Sequence, residues 1–229
     1  MDKYRLTFNI IESKSGLKSR DVFLAFMDKQ YSEKTGWGFA SLSLDNTKIF
    51  GTLLKTTLKY YQVWDAETNA LKKQSYTLVK RINFILDIKL GTIVVEGGVK
   101  DMNDLKSALR KTLYNEFVYS ATSQSLYSLL NNLESHNYLQ SIEELVLIDF
   151  KANNIFIGKY IAKLTNQSIT NSELSIYSDR ISKFKVIIDI DDIPFCIIAT
   201  SNNTFSVIGD EIAKLKFIDF FTKKFIDHA

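Results

Sequence analysis

Proline and cysteine are almost missing from this chain, which has one of each in 229 residues, Pro194 and Cys196. A single cysteine allows no disulfide framework and no thiolate zinc site, so a reducing, cytoplasmic setting is expected. Cys196 sits in the apolar run 193–199 and reads as a small buried hydrophobe. One proline and no Pro/Gly/Ser linker imply compact packing with few mobile connections. Histidine is nearly as scarce: only His136 and His228 are present. A histidine metal cluster is thereby disfavoured, and a Ser-His-Asp or Cys-His arrangement would have to use one of those two. There is no Walker loop and no G-x-G-x-x-G, and Gly97-Gly98 reads as a strand terminator, so ATP- or nicotinamide-dependent chemistry is not expected. The longest apolar runs are about five residues, short of a membrane span. Residues 1–8 lack the apolar core of a signal peptide. A soluble cytoplasmic protein without a membrane partner is the expectation.

What is present suffices for a folded core. Hydrophobic residues make up 45% and charged residues 24%, enough for one large domain or two of roughly 115 residues. The net charge of +3 conceals a split. Residues 1–115 carry 19 Lys/Arg against 12 Asp/Glu, a net +7, and residues 116–229 carry 10 against 14, a net −4. This suggests a basic domain 1–115 and an acidic domain 116–229, able to pack as one unit. The basic half would face an acidic partner, and the acidic half a basic patch on a neighbouring copy.

Hydrophobic periodicity predicts mixed α+β architecture, mostly antiparallel hairpins with packed helices. Residues 4–10 alternate as a first strand, and Ser19 is a candidate cap for a helix with Val22, Phe23, Phe26 and Met27 inward. A hairpin follows across Asp45-Asn46-Thr47, then a strand over 59–63 and a polar loop over 65–73. The pattern is strongest from 78 onward: a strand over 78–90, a turn at Gly91-Thr92, a return strand over 93–95, and a helix from about Asn103. The second half reads as helical over 120–133 and 138–145, followed by strands over 145–150 and 155–161. After a polar stretch come strands over 184–190 and 195–200. A last helix, capped by Asp210, points Ile212, Leu215, Ile218, Phe221 and Phe225 inward. Three hairpins, 82–95, 145–157 and 185–198, share a strand with an Asp near its end (Asp87, Asp149, Asp189), and two related halves would account for them.

Two segments repeat three apolar residues, Asp, an apolar residue and Lys: Phe84-Ile85-Leu86-Asp87-Ile88-Lys89 and Val146-Leu147-Ile148-Asp149-Phe150-Lys151. An Asp and a Lys two apart on a strand share a face, the arrangement by which PD-(D/E)xK nucleases set a metal ligand beside a phosphate-contacting lysine. The candidate site is Asp65, Asp87 and Lys89, with Mg²⁺ as cofactor under this reading alone. The second copy would use Glu143 or Glu144. Both copies lack the Pro-Asp of those enzymes, and an exposed ion pair is the simpler explanation of them. Asp189, Asp191 and Asp192 form an acidic cluster that reads first as a polar turn.

The basic, aromatic stretch 55–81 suggests a different chemistry. Lys55, Lys59, Lys72, Lys73, Lys80 and Arg81 are interleaved with Tyr60, Tyr61, Trp64 and Tyr76. Cations release counterions from a phosphate backbone, and aromatic faces stack on bases. Lys106, Arg110 and Lys111, on the polar side of the following helix, extend this candidate nucleic-acid surface.

The order strand, helix, hairpin, the run Phe50-Gly51-Thr52-Leu53-Leu54-Lys55-Thr56-Thr57, then 83–95 and a helix from Asn103 resembles RexA-type phage-exclusion proteins. The resemblance spans about 110 residues of order and hydrophobic rhythm, with no diagnostic motif and no match in the second half. It implies a DNA-binding part of an abortive-infection or anti-phage system, acting through contacts and assembly. The leading expectation is therefore a non-enzymatic nucleic-acid-binding or assembly protein, DNA before RNA, without cofactor. A metal-dependent nuclease is one alternative, and a subunit that self-assembles through its opposite-charged halves is another.

Overall fold

In the computed structural model, residues 1–120, 125–152, 156–163, 175–201 and 203–225 are described, with backbone alone for 149–152, 156, 157, 224 and 225. The elements run β1 (Asp2–Ser13), α1 (Ser19–Met27), β2 (Trp37–Asp45), β3 (Lys48–Asp65), β4 (Ala70–Asp87), β5 (Thr92–Glu96), α2 (Val99–Thr112) and β6 (Phe117–Ser120). They continue with α3 (Leu126–Ser135), β7 (Leu139–Ala152), β8 (Phe156–Lys163), β9 (Ile181–Ile190), β10 (Ile193–Thr200), β11 (Thr204–Gly209) and α4 (Glu211–Phe225). The expected α+β class is met, with strands dominating and every pair between named strands antiparallel.

All the strands join one sheet in the order β2-β3-β4-β5-β1-β11-β10-β9-β7-β8. β1 is the seam. One edge pairs with β5, and the other pairs first with β11 through residues 2–7 and then with β6 through residues 10–13. Successive side chains of a strand point to opposite faces, and both faces of this seam are used. Leu6, Phe8 and Val94 belong to a core with α3, α4 and β9–β11. Ile11, Ile93 and Val95, of the opposite parity, belong to a second core with α1, α2 and β2–β4. Aromatic rings centre both. Phe8 meets Phe205 at 5.4 Å and Phe221 at 4.4 Å between ring centroids, and Phe26 stacks on Phe39 at 4.3 Å.

Local chemistry explains most turns. Asp191 and Asp192 both take positive φ, 54° and 62°, as the two central residues of a tight hairpin must. The acidic cluster is thus the β9–β10 turn, with Asp191 paired to Lys216. The edge strand β2 is shielded by bridges from Gln30 and Ser32, and a Cβ on Gly38 would collide with the Tyr31 backbone lying across it.

Several expectations are corrected. Ser19 is the first helical residue of α1, not its cap, and its hydroxyl donates to the Thr47 carbonyl. Residues 139–145 form β7, not helix, and residues 204–209 form β11, which periodicity did not reveal. β4 ends at Asp87, so Lys89 lies in the turn that follows. In α4, Asp210 does cap the helix through the Ala213 amide. The buried stripe, however, is Ala213, Phe217, Ile218, Phe220 and Phe221, while Ile212 and Leu215 face water. The side chains of Asp149, Lys151 and Phe225, and all of His228, lie outside the described residues.

Candidate nucleic-acid interface

β3 and β4 are each 18 residues long, far longer than their neighbours. β2 pairs with β3 only as far as Lys55, and β5 pairs with β4 only from Asn83. Beyond those points, residues 57–65 and 70–78 pair with each other alone and form a ribbon reaching about 30 Å past the sheet. The expected separate strand over 59–63 and polar loop over 65–73 are in fact one hairpin with a short turn at 66–69, where Asn69 takes φ 48°.

Register assigns each side chain to a face. One face carries Leu58, Tyr60, Trp64, Leu71 and Lys73, and the other carries Lys59, Tyr61, Tyr76, Leu78 and Lys72. Trp64 and Leu71 sit directly opposite one another at the tip and are 56% and 59% exposed. The Lys73 ammonium lies 4.2 Å from the Tyr60 ring centroid, and the Tyr61 hydroxyl donates to Gln74 Oε1 at 2.8 Å. Lys72 pairs with Asp65; that hydrogen bond, with those from the Thr68 and Glu67 amides, holds the Asp65 carboxyl below the usual carboxylate range against a smaller opposing effect of burial.

The base of the ribbon is fixed to α2. Lys55 donates to Asp104 at 2.6 Å, and Lys80 bridges Asp101 and Asp104. Burial opposes both shifts, but these pairings prevail: the Lys80 pKa is raised and that of Asp104 lowered. Beside this anchor, Lys111 lies 5.6 Å from the Trp37 ring centroid. Those residues, with Leu58, line a cleft of about 410 Å³. On the other flank of α2, Lys106 and Arg110 approach the Tyr119 ring at 5.3 and 5.2 Å.

The nine cations expected to meet phosphate therefore divide by partner. Lys55, Lys72 and Lys80 are neutralised by carboxylates. Lys59, Lys73, Arg81, Lys106, Arg110 and Lys111 have no carboxylate partner among the described residues. Trp37, Leu58, Leu71 and Tyr119 join the surface without having been singled out from sequence. The signal available was the absence of both Pro and Gly between 52 and 90, which suits one uninterrupted ribbon.

The nuclease candidates are not brought together. Asp65 is at the ribbon tip, whereas Asp87 pairs with Lys48 at the far end of the same 18-residue strand, roughly 55 Å away. Asp87 is 3% exposed and accepts from Thr47 Oγ1 and from the amides of Lys89 and Leu90, the bonding of a turn-closing Asp. Glu143 and Glu144 pair with Lys185 and Lys183. Among the described residues no group of three or more His, Cys, Asp or Glu side chains is arranged to hold a metal ion, and no helix is long and apolar enough to cross a membrane.

Compared with known proteins, the chain matches no family model and no curated sequence.

Proposed function

We propose that this chain is a non-enzymatic nucleic-acid-binding protein that grips duplex DNA with the β3–β4 ribbon, as the contact component of an anti-phage or abortive-infection assembly. The observation that carries the reading is the ribbon itself: a two-stranded projection with cations and large aromatic side chains exposed on both faces. A two-stranded ribbon fits the DNA major groove, about 12 Å wide. Apolar side chains at such a tip can also wedge between base steps. The likeness of the first half to RexA-type proteins supports the defence setting.

Four cations without carboxylate partners among the described residues, Lys59, Lys73, Arg81 and Lys111, flank the ribbon and its base. Each phosphate neutralised contributes about −0.9 to the slope of log affinity against log salt, so a slope of about −3 to −4 is expected. Fluorescence anisotropy of a labelled duplex across a salt series measures it. Undetectable binding at low ionic strength, or a flat salt response, removes the reading. Adding Mg²⁺ should leave the duplex whole; metal-dependent cleavage abolished by Asp87→Asn would instead restore the nuclease alternative.

The exposed apolar residues on both ribbon faces also favour a second reading, in which the arm clasps another copy. Sedimentation separates the two. The arm reading for DNA expects a monomer that shifts only with duplex, whereas self-assembly expects a larger species that Trp64→Ser with Leu71→Ser disperses.

A further inference from the structure

Across α2 from the ribbon, a cleft of about 530 Å³ opens between that helix, β1 and the β10–β11 turn, lined by Thr7, Asn9, Asn103, Lys106 and Ser201 among others. The Lys106 ammonium donates to Asn9 Oδ1 at 2.5 Å and lies against the Tyr119 ring, which also holds the Arg110 guanidinium one helical turn away. The other described lysines partly withdrawn from water have acid partners: Lys48 has Asp219, Lys55 and Lys80 have Asp104, Lys183 has Glu144, Lys185 has Glu143, Lys214 has Glu96 and Glu211, and Lys216 has Asp191. Lys106 has none among the described residues, and the charge beside it, Arg110, has its own sign. Burial and then Arg110 push the Lys106 pKa below the ordinary lysine value. Burial likewise pushes the Tyr119 phenol up to about 12, so this ring stays neutral beneath the two cations. The side chains of Asn103 and Ser201 have no hydrogen-bond partner among the described residues and remain available as donors.

We propose that this cleft seats a phosphate-type oxyanion on Lys106, with Asn103 and Ser201 completing its hydrogen bonds and Arg110, on the Tyr119 ring one helical turn beyond the lining, adding positive charge. The anion replaces the missing carboxylate: it relieves the repulsion between two cations and satisfies donors that a fluoride- or chloride-sized ion cannot span. The same chemistry is met by a free phosphate-bearing molecule and by a nucleic-acid backbone, and the seat does not depend on the ribbon's role.

The test uses the full chain and inorganic phosphate, with chloride at matched ionic strength as reference. Phosphate should raise the melting temperature of the wild type with concentration and move the Lys106 ammonium titration, followed by lysine-selective NMR, upward. Lys106→Met should abolish the phosphate-dependent rise while melting no lower than wild type in chloride, because it removes an uncompensated charge. Arg110→Gln, at an exposed position, should weaken the response without risk to the fold. Equal phosphate stabilisation in wild type and Lys106→Met, or none in the wild type, overturns the seat. A short duplex then identifies the source: a salt slope reduced by about 1 in Lys106→Met indicates a backbone phosphate, and a slope unchanged in Lys106→Met, while that variant has lost the phosphate rise the wild type shows, indicates a free ligand. If the duplex does not bind at all, the ribbon reading fails while the phosphate response still reports on the seat.

Discussion

Asp87 shows how a residue with catalytic looks can be spent on closing a turn. It is buried and accepts from Thr47 and from two amides of the turn. Replacing it by Ala strands those donors, at a cost of about 2 kcal/mol. A denaturant midpoint measures the loss, and duplex affinity of the folded fraction should stay unchanged. Asp104 gives the pH counterpart. Its pKa is lowered in the fold, where burial is outweighed by hydrogen bonds from Lys55 and Lys80. Its stabilisation is therefore present above the unfolded carboxylate value and lost as pH falls through the lower folded value. Lys80, raised in the fold, contributes up to the ordinary lysine value and loses that contribution as pH rises through its higher folded value. The Lys80 and Asp104 side chains are 32% and 16% exposed, between a surface and a buried pair, so Asp104→Asn should cost about 1–2 kcal/mol at neutral pH. Wild type and variant should converge in acid, as thermal melts across pH would show.

At the scale of elements, the ribbon sets what was legible. Hairpins 82–95 and 185–198 were readable because β9 alternates in burial, β4 and β5 carry apolar runs beside their turn, and both turns carry residues that accept positive φ, Gly91 and Asp191-Asp192. The β7–β8 pairing over 145–157 was also expected, while its turn at 153–155 lies outside the described residues. The ribbon was not readable, since both its faces are wet and no alternation between oil and water marks residues 57–78. Its charged tip, Asp65 to Lys73, looks like loop for the same reason. β7 misled in another way. Leu139, Ile142 and Leu145 have helical spacing, and the register shifts at Leu139/Ser141 and Ile142/Glu144 show bulges that break period two. α4 has apolar residues on more than one side, so the larger phenylalanines rather than Ile212 and Leu215 took the core. Of the candidate site, the cations were legible but their partners were not, because Asp104 and Lys55 meet only through the fold. Two expectations belong here. Ribbon amides lack a third strand and should exchange with deuterium well before those of β1 or β10. Exchanging residues 58–77 for an Asn-Gly turn should leave the melt intact and abolish duplex binding.

The whole molecule couples two cores through one sheet. Phe8 and Trp37 belong to different clusters on opposite faces, yet β1 and β5 contribute to both. Phe8→Ala should cost about 3–5 kcal/mol. In a Trp64→Phe background, Trp37 fluorescence and far-UV circular dichroism should report the same midpoint shift; separate midpoints would mean two independent units. The two halves also exchange charge within the chain. Lys48 of the basic half pairs with Asp219 of the acidic half at 2.7 Å, and Lys214 of the acidic half reaches Glu96 of the basic half at 3.5 Å. The two pairs run in opposite senses, so they tie the halves together and leave the charge split between them unchanged.

The seam at β1 has a consequence for biosynthesis. Its first residues pair with residues 204–209, so β1 waits for a partner strand synthesised about 200 residues later. At about 5–20 residues per second that interval is roughly 10 to 40 s, during which the β1 edge stays open to any passing strand. A nascent chain stalled before Thr204 should depend on a holding chaperone, and release of α4 and β11 should end that dependence.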